Sequence, residues 1–177
     1  MALITTVGNA SANSYGDTDG ANVYFLLTRR RDQWDAVATI SGLAQEQALF
    51  DAMLFIEAQD YIGSRNSTTQ ALQWPRKSSA SRLNVTSTTG VIDLRGRTWT
   101  ASEIPDPVIQ AQYEQALALT QSEHWLSDRY QSQTVAAGQT TIEVATQQKL
   151  GRLCRAAELL LDGLVLTGGS SRRLIRS

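Results

Sequence analysis

The 177-residue sequence has little of what enzymes and metalloproteins use, since it contains one cysteine and one histidine. Cys154 lies within a leucine stripe typical of a core, and one Cys with one His cannot supply the ligand spacing of a zinc site. A nucleophilic triad would have to use His124, which lies on the apolar side of a predicted helix, where a packed histidine is the usual outcome. No glycine-rich phosphate loop and no calcium loop occurs. We therefore expect no enzyme activity, no cofactor and no metal site.

The sequence also has almost no net charge and no long apolar run. The formal net charge is -1, which argues against general binding of polyanions. The longest apolar run, Leu159–Val165, is interrupted by Asp162 and is too short to cross a bilayer. The first residues lack the basic region of a signal peptide. The expectation is a soluble protein made in a cytoplasm, with no membrane partner.

Helical periodicity is the main signal that the sequence does contain. Apolar residues of the segment Leu43–Ile62 recur at three- and four-residue steps, on a face so broad that neighbouring elements must cover it on more than one side. Ser41 is placed to cap its start and Gly63 to stop it in a left-handed conformation. Three further helices are predicted: Asp19–Arg29 after an Asp17 cap, a helix opened by Ile104-Pro105, and an amphipathic stripe from Leu150 to Leu164.

Two regions between these helices have the pattern of loops and short strands. In the first, Val85–Thr88 and Val91–Leu94 are prone to form strands, and Arg97–Thr100 is able to pair back as a hairpin. In the second, residues 131–141 are polar and loop-like, whereas Thr141–Val144 alternates like a short strand.

The expected fold is therefore mainly α. Residues 1–167 are predicted to form a small bundle of about four helices. A short β-hairpin or long loop is inserted at about residues 77–103, and both termini are extended. Residues 168–177 are predicted to form a flexible basic docking tail.

Three features leave alternatives open. Arg29-Arg30-Arg31 is either a solvated helix end or a contact with phosphate or with an acidic partner surface. Trp74 beside Arg76 is either a core tryptophan that fixes the loop after the long helix, or a stacking platform or protein–protein contact. The basic tail is either a docking peptide or a frayed terminus.

The order of several short motifs resembles that of one family. The motifs are Asn13-Ser14-Tyr15, a short helix with Ala21 and Tyr24-Phe25, Trp34, the long apolar helix, Gln70–Arg76, Ile104-Pro105 and Arg173–Arg176. This order is similar to that of tailed-phage and prophage proteins often labelled "putative DnaT-like single-stranded DNA-binding protein". Those proteins resemble the head–tail adaptors, also called head-completion or connector proteins, of long-tailed phages. The most specific part is Ala71-Leu72-x-Trp74-Pro75-Arg76, in which we expect Trp74, Pro75 and Arg76 to be structural.

The resemblance implies a structural virion protein located in the neck or connector and made in the host cytoplasm. Copies would form a ring, typically of about twelve, between the portal protein and a tail-terminator or stopper protein. DNA would pass through the lumen without sequence-specific binding. Portal docking would fall to the tail residues, which are Arg172, Arg173, Leu174, Ile175 and Arg176. The alternative function, which the family label names, is binding of single-stranded nucleic acid.

Overall fold

The computed structural model describes residues 2–40, 43–78, 90–121, 130–137, 140–147 and 153–166. Within these ranges the chain forms five helices, and the mainly α fold expected from the periodicity is confirmed. The central helix packs against the next one along the chain, which in turn packs against the last. The helices are α1 (Thr18–Leu26), α2 (Arg31–Ala38), α3 (Ala44–Glu57), α4 (Asp106–Gln121) and α5 (Arg155–Leu161).

The described strands form three antiparallel pairs. They are β1 (Ser64–Arg65) with β2 (Arg76–Lys77), β3 (Gly90–Ile92) with β4 (Thr98–Thr100), and β5 (Tyr130–Ala137) with β6 (Thr140–Gln147). The first two pairs are linked because the Ser78 N–H donates to the Gly90 carbonyl at 2.8 Å. The predicted return of the chain at residues 97–100 is confirmed, since Val91 pairs with Trp99. The proposed strand at residues 85–88 lies outside the described residues.

The core consists of two apolar clusters that share α3 and α4. One joins α1 and α2 to the first half of α3, and in it the rings of Phe25 and Trp34 lie 5.1 Å apart between centroids. The other joins the second half of α3 to α5 and to the loop that carries Trp74. Covering α3 on several sides was expected from its broad apolar face, and the two clusters provide that cover.

The long helix is shorter than its sequence pattern predicts. α3 starts after Leu43, which makes no side-chain capping bond, and the proposed cap Ser41 lies outside the described residues. The helix ends at Glu57 rather than at Gly63. Gly63 has a positive φ of 73°, but it lies just before β1, where a Cβ would crowd the Lys77 carbonyl. The predicted helix stop was therefore wrong, and this glycine permits close pairing of two strands.

One helix was not anticipated, and another begins later than predicted. α2 begins at Arg31, the last residue of the arginine triplet, and buries Trp34 and Val37 on one face. α5 starts only at Arg155, because Cys154 is extended (φ -64°, ψ 155°) and its Sγ accepts from the Ala157 N–H at 3.5 Å. The leucine stripe therefore begins ahead of the helix, and Cys154 is a buried cap rather than a helical core residue.

The predicted loop at residues 131–141 is wrong as well. Residues 130–137 form the whole of β5, and the short strand expected at Thr141–Val144 is the middle of β6. Polar residues dominated the pattern there, but the observed pairing is continuous from Tyr130 with Gln147 to Ala137 with Thr140. None of the described helices has the length and apolar character needed to cross a bilayer.

Candidate functional site

The Trp74-Pro75-Arg76 motif closes the loop between β1 and β2, and Arg76 is the first residue of β2. Trp74 belongs to the apolar cluster of the second half of α3. Trp74 is 1% exposed, and its ring meets the ring of Tyr61 edge-on with centroids 5.6 Å apart. The Trp74–Pro75 peptide bond is cis. Of the two interpretations of Trp74, the core tryptophan matches its burial, because a ring so enclosed has no free face for a base or a partner.

Arg76 is buried, and its side chain binds the backbone that follows α3. Its guanidinium donates to the carbonyls of Ile62 (2.8 Å), Gly63 (2.7 Å) and Tyr61 (3.2 Å), and to Gln73 Oε1 (2.6 Å). It also lies 5.8 Å from the centroid of the Tyr61 ring. Burial lowers the pKa of Arg76. Because its donors are directed at the protein itself, Arg76 is a structural residue and not a free phosphate contact.

Tyr15, from the Asn-Ser-Tyr motif, ties the N-terminal segment to the same loop. Its hydroxyl donates to the Glu57 carboxylate and accepts from the Trp74 N–H at 3.3 Å. Glu57 also accepts the Gln73 N–H at 2.9 and 3.0 Å. Burial, followed by the nearby Glu57 charge, raises the pKa of Tyr15 well above its usual value, and burial raises the pKa of Glu57. The two motifs therefore form one structural joint.

Gln112, on α4, makes a second joint with the N-terminal segment. Its Oε1 accepts the N–H groups of Tyr15 and Gly16, both at 3.0 Å. Its Nε2 donates to Ser14 Oγ and to the Leu49 carbonyl, both at 2.7 Å. Gln112 is fully buried, and its amide is completely satisfied. The residue was missed at the sequence level because a single Gln on an apolar helix face carries no signal of its partners.

Of the arginine triplet, only the middle residue binds a buried group among the described residues. Arg30 makes a two-pronged ion pair with Glu114, whose side chain is 1% exposed, and Tyr24 donates to the same carboxylate at 2.8 Å. Arg31 pairs with an acidic residue one turn along α2. Arg29 remains exposed. Neither predicted alternative describes Arg30, because its partner is a buried acid of the same chain.

The β3–β4 hairpin carries the one tryptophan of the described residues that is partly exposed, Trp99. The Arg97 guanidinium lies 5.4 Å from the centroid of its ring and donates to the buried Asp93 carboxylate at 2.7 Å. Asp93 also accepts the N–H groups of Arg95 and Arg97 at 2.9 Å. Burial by itself would raise the pKa of Asp93, but these hydrogen bonds outweigh it and lower that pKa.

An open groove of about 400 Å³ lies between the N-terminal segment and the start of α4. Two carboxylates, Asp17 and Glu103, line it, together with the ring of Tyr113. Asp17 caps α1 by accepting the Gly20 N–H at 2.8 Å, and burial with the nearby Asp17 charge raises the pKa of Tyr113 to about 12. The described part of the chain contains no group of three side chains suited to hold a metal ion.

The proposed docking residues lie outside the described residues, as does His124. They are Arg172, Arg173, Leu174, Ile175 and Arg176. The two-unit division at residue 167 therefore stays a prediction.

Within the described residues, the fold is that of a small, mainly α protein whose buried polar clusters hold its elements together. The chain belongs to the family described as "Putative DnaT-like ssDNA binding protein", whose family model matches residues 1–177. No curated protein and no solved structure gives a significant match to this chain.

Proposed function

We propose that the protein is a structural subunit of a tailed-phage virion, a head–tail adaptor that assembles with copies of itself into a ring below the portal. The observation that carries the proposal is the ribbon formed by β5 and β6. Its strands are paired with each other over eight residues each, and no other described strand joins them.

A two-stranded ribbon is marginally stable in water without a third strand or a covering element. A ribbon of this length, joined to the body between α4 and α5, is suited to lie against a neighbouring subunit. A contact between an arm of one copy and the body of the next is heterologous, and such contacts close into rings when the rotation permits.

The placement of tryptophan and arginine supports the same proposal. Trp34 and Trp74 are buried in the two core clusters. Arg30 and Arg76 are bound to groups of their own chain. A conduit for DNA is better served by a surface that makes few strong phosphate contacts, since each one slows passage.

Assembly with the portal protein of the same phage tests this function. Light scattering and negative-stain microscopy of the full chain, alone and with portal, should show closed rings attached to the portal. A chain that stays monomeric and unbound under all of these conditions would refute the adaptor function. Deleting Ser170–Ser177 should leave the body folded and abolish attachment, since the tail is proposed to dock the portal.

Binding of single-stranded DNA is the second candidate, and the family description favours it over the first. In the structure, its specific support is Trp99 beneath Arg97 on a surface hairpin, a pairing that bases can extend by stacking. Titration with oligo-dT at low and moderate salt separates the two functions. A DNA-binding protein should show saturable, salt-dependent quenching of tryptophan fluorescence that is lost in Trp99→Ala, whereas an adaptor should show little quenching at moderate salt.

A further inference from the structure

A groove along the first half of α3 is left uncovered by the described chain. It has a volume of about 350 Å³ and lies between α3 and the N-terminal segment. Its lining combines apolar and acidic residues: Leu3, Leu43, Glu46, Gln47, Phe50 and Asp51.

The floor of this groove continues an apolar surface that the fold does not bury. Leu43 is 49% exposed, Phe50 is only partly buried, and Leu54, one turn further along α3, is 52% exposed. A run of large apolar side chains on one helix face marks a site where another segment docks. The broad apolar face of α3 thus has one side that the body itself does not cover.

Two carboxylates at the rim determine what kind of segment fits. Glu46 and Asp51 are each partly buried, and neither carboxylate makes a hydrogen bond or an ion pair with any described residue. Burial raises the pKa of Asp51. An occupant with apolar side chains for the floor and cations for the rim would be complementary to both parts of the groove.

We propose that the C-terminal segment Arg172–Arg176 of the same chain occupies this groove. Leu174 and Ile175 would cover the apolar floor, and the neighbouring arginines would pair with Glu46 and Asp51. No other segment outside the described residues combines two adjacent large aliphatic residues with flanking arginines and no acidic residue.

The length of the chain allows this contact within one molecule. Leu166 is fixed beside the end of α3, because its N–H donates to the Asp60 carbonyl at 2.6 Å. From Glu57 back to Gln47, α3 runs for about 15 Å at 1.5 Å per residue. The chain from Leu166 to Leu174 extends to roughly 28 Å, which is enough to reach the groove even by an indirect route.

This inference does not depend on the proposed function, but it bears on it. If the same residues dock a portal, the groove and the portal compete for one segment. The tail would then rest on its own body until a portal displaces it.

Disulfide trapping in the full chain tests the contact. Gln47→Cys, at an exposed groove position, is combined with Ile175→Cys under mild oxidation. The matched control combines Ile175→Cys with Ala58→Cys, an exposed position nearer to the point where the chain leaves the body. A tail without a docking site meets the nearer position more often. A docked tail should instead form the intramolecular 47–175 disulfide about 10-fold faster, as read by non-reducing electrophoresis and peptide mapping.

Charge reversal makes the test specific. Glu46→Lys with Asp51→Lys should slow the 47–175 disulfide several-fold, and adding Arg172→Glu with Arg173→Glu should restore it, with folding of each variant checked by circular dichroism. Equal or faster trapping at position 58 would overturn the proposal. A disulfide between two chains would overturn it also, because the groove would then receive the tail of a second copy. If the reversed variant fails to fold, the comparison of positions 47 and 58 still decides.

Discussion

At the scale of single residues, the protein depends on buried polar groups that are almost fully paired. Gln112 uses both acceptor sites and both donor hydrogens, and it links α4 to α3 and to the N-terminal segment. Glu114, two residues on, is satisfied by Arg30 and Tyr24. Removing such a group costs more than its bonds contribute, because the former partners are left buried without a substitute.

Replacing Gln112 with leucine should therefore lower the free energy of unfolding by about 2–4 kcal/mol. The apolar side chain fills most of the space but leaves the N–H groups of Tyr15 and Gly16 without their acceptor, and Ser14 Oγ and the Leu49 carbonyl each lose one donor. Denaturant unfolding monitored by circular dichroism measures the loss. Gln33→Leu, at an exposed position of α2, is the control and should change stability little. Equal midpoints for the two variants would contradict the role assigned to Gln112.

Asp93 predicts a pH dependence of stability. Folding lowers the pKa of the Asp93 carboxyl below its ordinary value of about 3.8. The folded state therefore binds a proton at Asp93 less readily than the unfolded chain does. The ionised carboxylate therefore contributes its full stability at pH values above the unfolded pKa of about 3.8. That contribution is lost as the pH falls through the lower pKa of the folded state.

Asp93→Asn should destabilise the fold by about 1–3 kcal/mol at pH 7, and by progressively less as the pH is lowered from 5 to about 3. Thermal unfolding of both proteins across this range measures the difference. A difference that stays constant with pH would mean that the charge of Asp93 is not what the hairpin uses.

At the scale of elements, the loop between β1 and β2 behaves as a folded unit held by its own motif. Trp74 fills the cluster below α3, Arg76 binds the backbone after that helix, and Tyr15 reaches across from the N-terminal segment. The loop therefore contributes to the core although it has almost no regular secondary structure.

Trp74→Ala should cost about 3–5 kcal/mol, as truncation of a large buried aromatic side chain does. Trp99→Ala is the comparison, since Trp99 is partly exposed and its truncation should cost clearly less. Chemical denaturation gives both values. An unchanged unfolding midpoint for Trp74→Ala would place that ring at the surface, against its observed burial.

The elements also show how far the sequence could predict this fold. The Asp17 cap, the central helix and the β3–β4 return were predictable because each depends on residues close together in the chain. α2 was missed because eight residues with two buried apolar positions give too short a pattern. The start of α5 was misplaced because the Cys154 N–H is held by Gln115 Oε1 at 2.7 Å, a contact from a distant helix. The joints at Gln112 and Glu57 likewise link segments far apart in sequence, which periodicity does not register.

At the scale of the whole molecule, two parts differ in how they are stabilised. The helical body buries two apolar clusters within the described chain. The β5–β6 ribbon pairs internally, and no other described strand joins it. If the ribbon contributes little to the stability of the body, its strands are available for a contact between copies of the protein.

Replacing residues 130–147 with a short Gly-Ser linker separates these roles. Tyr130 pairs with Gln147, so the ends of the ribbon are neighbours and a few residues can join them. The variant should unfold with a free energy within about 0.5 kcal/mol of the parent, yet fail to form rings or to attach to portal. Chemical denaturation measures the first quantity, and light scattering with microscopy measures the second. If the variant still assembled, the ribbon would not be the contact between subunits; if its body lost cooperative unfolding, the ribbon would belong to the core.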